Sequence, residues 1–252
     1  MARISYDEQT ASAYKAVREI PRDELSEWRV AVRRHLQPSP GMTLVDIGAG
    51  TGQFSAAFRD WFGVEVVAVE PSAAMRGQIP KTEGIRVVEG DACALPVPDE
   101  SADAAWLSLV IHHIADLEAA AHEIRRVLRP ETPVFIRQGF PGRVDRIENV
   151  RWFPETARTV DTYPSVEDTC AAFATAGFQM EALETLPETY AASLAEFLDQ
   201  LDTLRDADTS MRSLSEDEFR GGKERVRRAV IEGTDELRSN WLDLLVLRGA
   251  RR

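Results

Sequence analysis

The reading turns on residues 45–54, Val45-Asp46-Ile47-Gly48-Ala49-Gly50-Thr51-Gly52-Gln53-Phe54. The stretch is entered as a strand, because Thr43, Leu44, Val45 and Ile47 form a short apolar run behind the turn residues Pro40-Gly41. It is left as a helix, because Phe54, Ala57, Phe58, Trp61 and Phe62 recur at helical spacing. Between them three glycines alternate with other residues. Glycine lets backbone approach a ligand with no Cβ in the way, and a strand-to-helix turn aims free N–H groups at whatever lies above the sheet. This is a nucleotide or cofactor turn. The dinucleotide fingerprint Gly-x-Gly-x-x-Gly, counted from Gly48, would need glycine where Gln53 stands. The phosphate-loop pattern would need a lysine that the stretch lacks.

Working outward, Val66-Val67-Ala68-Val69 is a second apolar run and ends in Glu70. A third, Ile85 to Ala92, ends in Gly90-Asp91-Ala92, and a fourth runs from Ala102 through Trp106 and Ser108 to His112-His113. On these ordered features the chain resembles the small-molecule branch of the class I S-adenosylmethionine-dependent methyltransferases. The resemblance implies an α/β, Rossmann-like fold. It has a seven-stranded, mostly parallel sheet with helices on both faces and an antiparallel last strand. It implies S-adenosyl-L-methionine as cofactor and S-adenosyl-L-homocysteine as product. Asp46, Gly48, Gly50 and Gly52 then form the cofactor turn, and Ser108 lies at the end of the fourth strand. Glu70 suits a ribose, since a carboxylate accepts from both hydroxyls. Asp91 and Ala92 match the residues that hold the adenine edge. Met75 packs on adenine or ribose, or else fills the core. The N-terminal stretch around Tyr6-Asp7 and Tyr14 resembles a lid that folds over the cofactor, with Tyr14 or Arg18 reaching the methionine moiety; the alternative is a plain surface helix.

The chain has 252 residues, enough for one domain with a sizeable accessory part. Four parts of that domain are expected: a helical cap over 1–38, a cofactor-binding core over 41–183, a helical insertion over 187–236 and the last strand within 237–252. The periodicity predicts helices over 22–36, 53–62, 71–79, 116–129 and 165–176, with Ser165 and Ser215 as caps. Further strands are predicted at 133–137, 178–183 and 241–247. The net charge of −12 argues against nucleic acid as a partner, because phosphate contacts need a basic face. No apolar run reaches the roughly 20 residues of a membrane span, and no signal-peptide core is visible, so a cytoplasmic protein is expected. Cys93 and Cys170 have no metal spacing.

The sulfonium methyl that the resemblance implies is already electrophilic, so the protein's tasks are alignment, exclusion of water and a base for the acceptor's proton. His112 and His113 are the candidate bases; an unperturbed imidazole pKa near 6.5 suits the task. The competing role for either is a structural histidine bonded to backbone. No metal is expected. The acceptor should enter above strands 4 and 5, near Arg137, Phe140 and Trp152, under a roof from 187–236. The expected activity is methyl transfer to O, N or C of a small molecule. The alternatives are a nucleotide-dependent oxidoreductase and a cofactor-binding protein without turnover. Oligomeric state is not legible.

Overall fold

A computed structural model describes residues 7–189, 191–233 and 236–250. Tyr6, which figured in the lid pattern, lies outside them. Seven strands form one sheet: β1 (Thr43–Ile47), β2 (Glu65–Val69), β3 (Ile85–Val88), β4 (Ala104–Ser108), β5 (Pro133–Gln138), β6 (Phe178–Glu188) and β7 (Asn240–Gly249), in the order β3-β2-β1-β4-β5-β7-β6. β1 to β5 run parallel, and β7 lies antiparallel between β5 and β6. The order reverses at the β1–β4 pair, which opens a crevice above the strand ends.

The central strands are apolar on both sides, as a doubly covered parallel sheet requires. Val45, Val67, Ala105, Val134 and Leu245 fall on one face, while Leu44, Val66, Ala104, Phe135 and Leu244 fall on the other. Helix α1 (Glu8–Arg18) comes first in the chain, then α2 (Ser26–Leu36) and α3 (Gln53–Phe62). Trp28 and Val32 of α2 and Phe54 and Phe58 of α3 close the second face around Trp106. The rings of Phe54 and Trp106 are 4.6 Å apart, which seats α3 directly behind the glycine turn. α4 (Ala73–Arg76) is a single turn, and α5 (Leu117–Val127) covers the first face. α6 (Glu148–Trp152), α7 (Ala157–Val160) and α8 (Val166–Thr175) follow β5.

The insertion holds α9 (Leu194–Ala207), α10 (Thr209–Arg212) and α11 (Glu216–Glu232). It builds a core of its own from Phe197, Leu201, Phe219 and Val226, joined by Trp152, Phe153 and Val17 of α1. α1 packs against α9 and also reaches the chain after α4. There Lys15 Nζ donates to Gln78 O at 3.1 Å, and Gln78 Nε2 donates to Ser12 Oγ at 3.1 Å. Among the described residues no helix is long and apolar enough to cross a membrane.

Several boundaries differ from the sequence reading. The third strand stops at Val88, because Asp91 Oδ1 accepts from Cys93 N and turns the chain. The helix expected over 71–79 shortens to Ala73–Arg76 under its Ser72 cap. β6 extends to Glu188 because β7 pairs with it over its whole length. α6 and α7 had no expectation at all.

Candidate active site

The glycine turn is tied down on both sides. Gly48 N and Ala49 N donate to Val69 O at 2.8 and 3.1 Å, which docks the turn on the end of β2. Gly50 N donates to Glu70 Oε2 at 2.9 Å, and Ser72 N donates to Oε1 at 2.8 Å. Each Glu70 oxygen thus accepts one backbone N–H and keeps lone-pair capacity. Gly50 has φ +57, and a Cβ built on it would meet no protein atom within 4 Å, so its open side faces the cleft. Gly52 behaves otherwise: a Cβ there would come within 2.7 Å of Ile79 Cγ2, and the residue does not line the cleft. Its place is in packing the 79–80 loop on the start of α3.

The main cleft measures about 340 Å³. Nine of the predicted residues line it: Tyr14, Gly48, Gly50, Glu70, Met75, Asp91, Ala92, Ser108 and His113. Asp46 lines a smaller adjoining hollow of about 60 Å³, with Arg137 and Glu188. It is buried and accepts from Ser55 Oγ at 2.5 Å. Burial drives its pKa up to about 7, the Glu70 charge adds to the rise, and the Ser55 bonds oppose it. Glu70 is also raised, again mainly by burial and against the two backbone bonds. Arg18 ends α1, and its side chain lies outside the described residues.

Arg137 is nearly buried and does not reach into the acceptor space as the sequence suggested. Its guanidinium forks onto Glu188, with Nε to Oε2 at 3.0 Å, and donates to Ser108 Oγ at 2.9 Å. Phe140 lies in the sheet core and Trp152 in the insertion core, where its indole N–H donates to Glu148 Oε1 at 2.9 Å; neither lines the site.

A third space of about 90 Å³ opens above β5. Its wall combines His112, Gln138, Asn149 and Tyr163 with Ala207 to Ser210 from the insertion. Tyr14 and Leu109 line all three spaces. Leu109 holds φ +53, which is uncommon for a residue with a side chain and marks a strained junction. The short turn Ile111–His113 gives the two histidines different walls, although their ring centroids stay 4.1 Å apart. His113 faces the main cleft and His112 the third space. His112 stacks on Tyr163, with centroids 4.1 Å apart and planes 12° apart, and its Nδ1 lies 3.3 Å from Gln138 Nε2. Among the described residues no three His, Cys, Asp or Glu side chains are grouped to hold a metal ion.

With this geometry in place, comparison with known proteins adds the family. Residues 45–136 match the family described as "Methyltransferase domain". Residues 45–136 are thus similar to a methyltransferase domain. Over 103 residues the chain is 37% identical to a demethylmenaquinone methyltransferase of Corynebacterium kroppenstedtii, covering 41% of this chain and 44% of that one. Over 125 residues it is 38% identical to a malonyl-[acyl-carrier protein] O-methyltransferase of Methylococcus capsulatus, covering 48% and 45%. The chain thus spans about half the length of the curated relatives it matches. A crystal structure of a putative methyltransferase from an antibiotic biosynthesis pathway of Anabaena variabilis superposes with a TM-score of 0.73 at 20% identity, over 92% of this chain and 99% of that one. That likeness shows the fold, the class I methyltransferase architecture, across nearly the whole chain. The methyltransferase domain match ends at residue 136, before the insertion.

Proposed function

We propose that the chain is an S-adenosylmethionine-dependent methyltransferase that transfers a methyl group to O, N or C of a small-molecule metabolite in the cytoplasm. One observation carries the reading. The cleft over the glycine turn and the space beside His112 meet at Leu109 and Tyr14, so donor and acceptor sites adjoin. The cleft residues fit the cofactor. Gly50 leaves room where a side chain would intrude, and the walls of the cleft and its adjoining hollow carry Asp46, Glu70, Asp91 and Asp116 against a cationic ligand. Bound there, S-adenosylmethionine would supply its sulfonium methyl as the electrophile. Glu70 would take the ribose, Asp91, Ala92 and Met75 the adenine, and Asp46, Ser108 and Tyr14 the methionine end.

The acceptor's proton is assigned to His112. Its neutral ring offers one lone pair, which takes the proton as the attacking group loses it. The roof from the insertion limits water, which competes for position in the acceptor space.

Calorimetric titration with S-adenosylhomocysteine, and NAD as control, tests the reading. Binding of the first and not the second is expected. Binding of NAD alone would move the chain to the oxidoreductases. Gly50→Val should weaken S-adenosylhomocysteine at least about 100-fold, since it strains a left-handed residue and fills the cleft.

A further inference from the structure

The acceptor space has a chemical bias that narrows the substrate. Its polar wall is made by His112, Gln138, Asn149, Tyr163, Asp208 and Asn240. Among the described residues that line it there is no lysine or arginine. Its one carboxylate, Asp208, caps α10 through Oδ1, which accepts from Ser210 N at 2.9 Å and Met211 N at 3.0 Å. Arg137, at the end of β5, lines the adjoining hollow and is paired with Glu188. An anionic acceptor would enter beside Asp208 with no counter-charge from the described lining residues, and burying an unpaired anion is strongly unfavourable.

Gln138 adds a direction. The side chain is 1% exposed. Its Nε2 donates to Gly139 O at 3.4 Å and faces His112 Nδ1 at 3.3 Å. Gly139 O can only accept, which fixes the amide's orientation. The other end, Oε1, is buried and has no hydrogen-bond partner. A buried carbonyl without a donor is rare and costly, and it sits on the same amide that touches the candidate base.

We propose that the acceptor is a neutral or cationic small molecule, not a carboxylate or phosphate, whose O–H or N–H donates to Gln138 Oε1 beside His112. The missing donor is then supplied by the substrate itself, on the amide whose other end meets His112. This rests on the methyltransferase reading above.

The test uses the full chain saturated with S-adenosylhomocysteine and titrated with phenol, benzylamine, anisole, benzoate and phenyl phosphate. If S-adenosylhomocysteine itself does not bind, the methyltransferase reading fails and this proposal falls with it. If it binds, phenol and benzylamine should bind too. Anisole, benzoate and phenyl phosphate should each bind at least about tenfold more weakly than phenol. Gln138→Met keeps the length and removes the acceptor oxygen, so the preference for phenol over anisole should vanish while anisole binds as before. A merely structural role for Gln138 would weaken both probes alike. Benzoate or phenyl phosphate binding as tightly as phenol would overturn the proposal. So would a phenol preference that survives in Gln138→Met, or failure of every neutral and cationic probe. Should Gln138→Met not fold, the comparison of phenol with anisole and benzoate in the unaltered protein decides alone.

Discussion

Asp46 couples the site to pH. Burial holds its proton up to about pH 7, whereas an ordinary aspartate of pKa 3.8 would have lost it well below. The folded state therefore binds a proton that the unfolded chain releases. Stability from this group is fully present below pH 3.8 and drains away as pH rises through about 7. A cationic ligand prefers the ionised carboxylate, so its binding runs the other way. S-adenosylmethionine, whose sulfonium makes it cationic, should gain affinity by about tenfold per pH unit on approaching neutrality from the acid side. Asp46→Asn should flatten that profile, and titrations across the range will show it; a flat profile in the unaltered protein would remove Asp46 from the cofactor site. The histidine pair makes a second prediction at this scale. His112→Ala should lower turnover by about 10²-fold or more while leaving cofactor affinity within a few-fold. His113→Ala should instead weaken the cofactor, because its ring lines that cleft. Equal effects of the two on turnover alone would mean that the turn does not divide them.

At the scale of elements, two neighbouring glycines in α11 should respond in opposite ways. A Cβ on Gly222 would lie 2.1 Å from Phe153 Cε1, and Phe153 is fully buried with no room to swing aside. Gly222→Ala should cost about 1–3 kcal/mol, more than the helix propensity it gains. A Cβ on Gly221 would meet nothing nearer than an Arg225 nitrogen at 3.7 Å. Gly221→Ala should add up to about 1 kcal/mol. Thermal melts of the two variants check both signs. This contrast also shows what can be read from the chain. The helix itself was legible, since Ser215 and Glu218 form the expected capping box and Phe219 and Val226 mark its inner face. So were β1, the glycine turn and α3, where local pattern and tertiary demand agree. The need for glycine at 222 was not legible, because it is set by the ring of Phe153, far earlier in the chain. α6 and α7 escaped for a different reason: one-turn helices are held by their surroundings and leave no periodicity to read.

Across the whole molecule, the cofactor side of the site was legible because its residues follow strand ends in order, as Glu70, Asp91 and Ser108 do. The acceptor side was not. Its wall is assembled from stretches near 109, 138, 149, 163, 208 and 240, which meet only through packing of the insertion on the sheet. The same packing gives α1 its position. It lies between α9 of the insertion and the chain after α4, bonded to Gln78 through Lys15 and Ser12. Tyr14, halfway along it, touches the cofactor cleft, the hollow at Asp46 and the acceptor space. A helix in that place closes the site if its docking is coupled to occupancy, and such coupling is visible as protection from hydrogen exchange. Adding S-adenosylhomocysteine at about 100 times its Kd should raise the unfolding free energy by about 2.7 kcal/mol. The amides of α1 and of the 72–79 turn should then slow together with those of the glycine turn, by more than the global stabilisation alone gives to β7. Protection confined to the glycine turn, with α1 exchanging as before, would make α1 a covering of the insertion and leave the cofactor cleft without a lid.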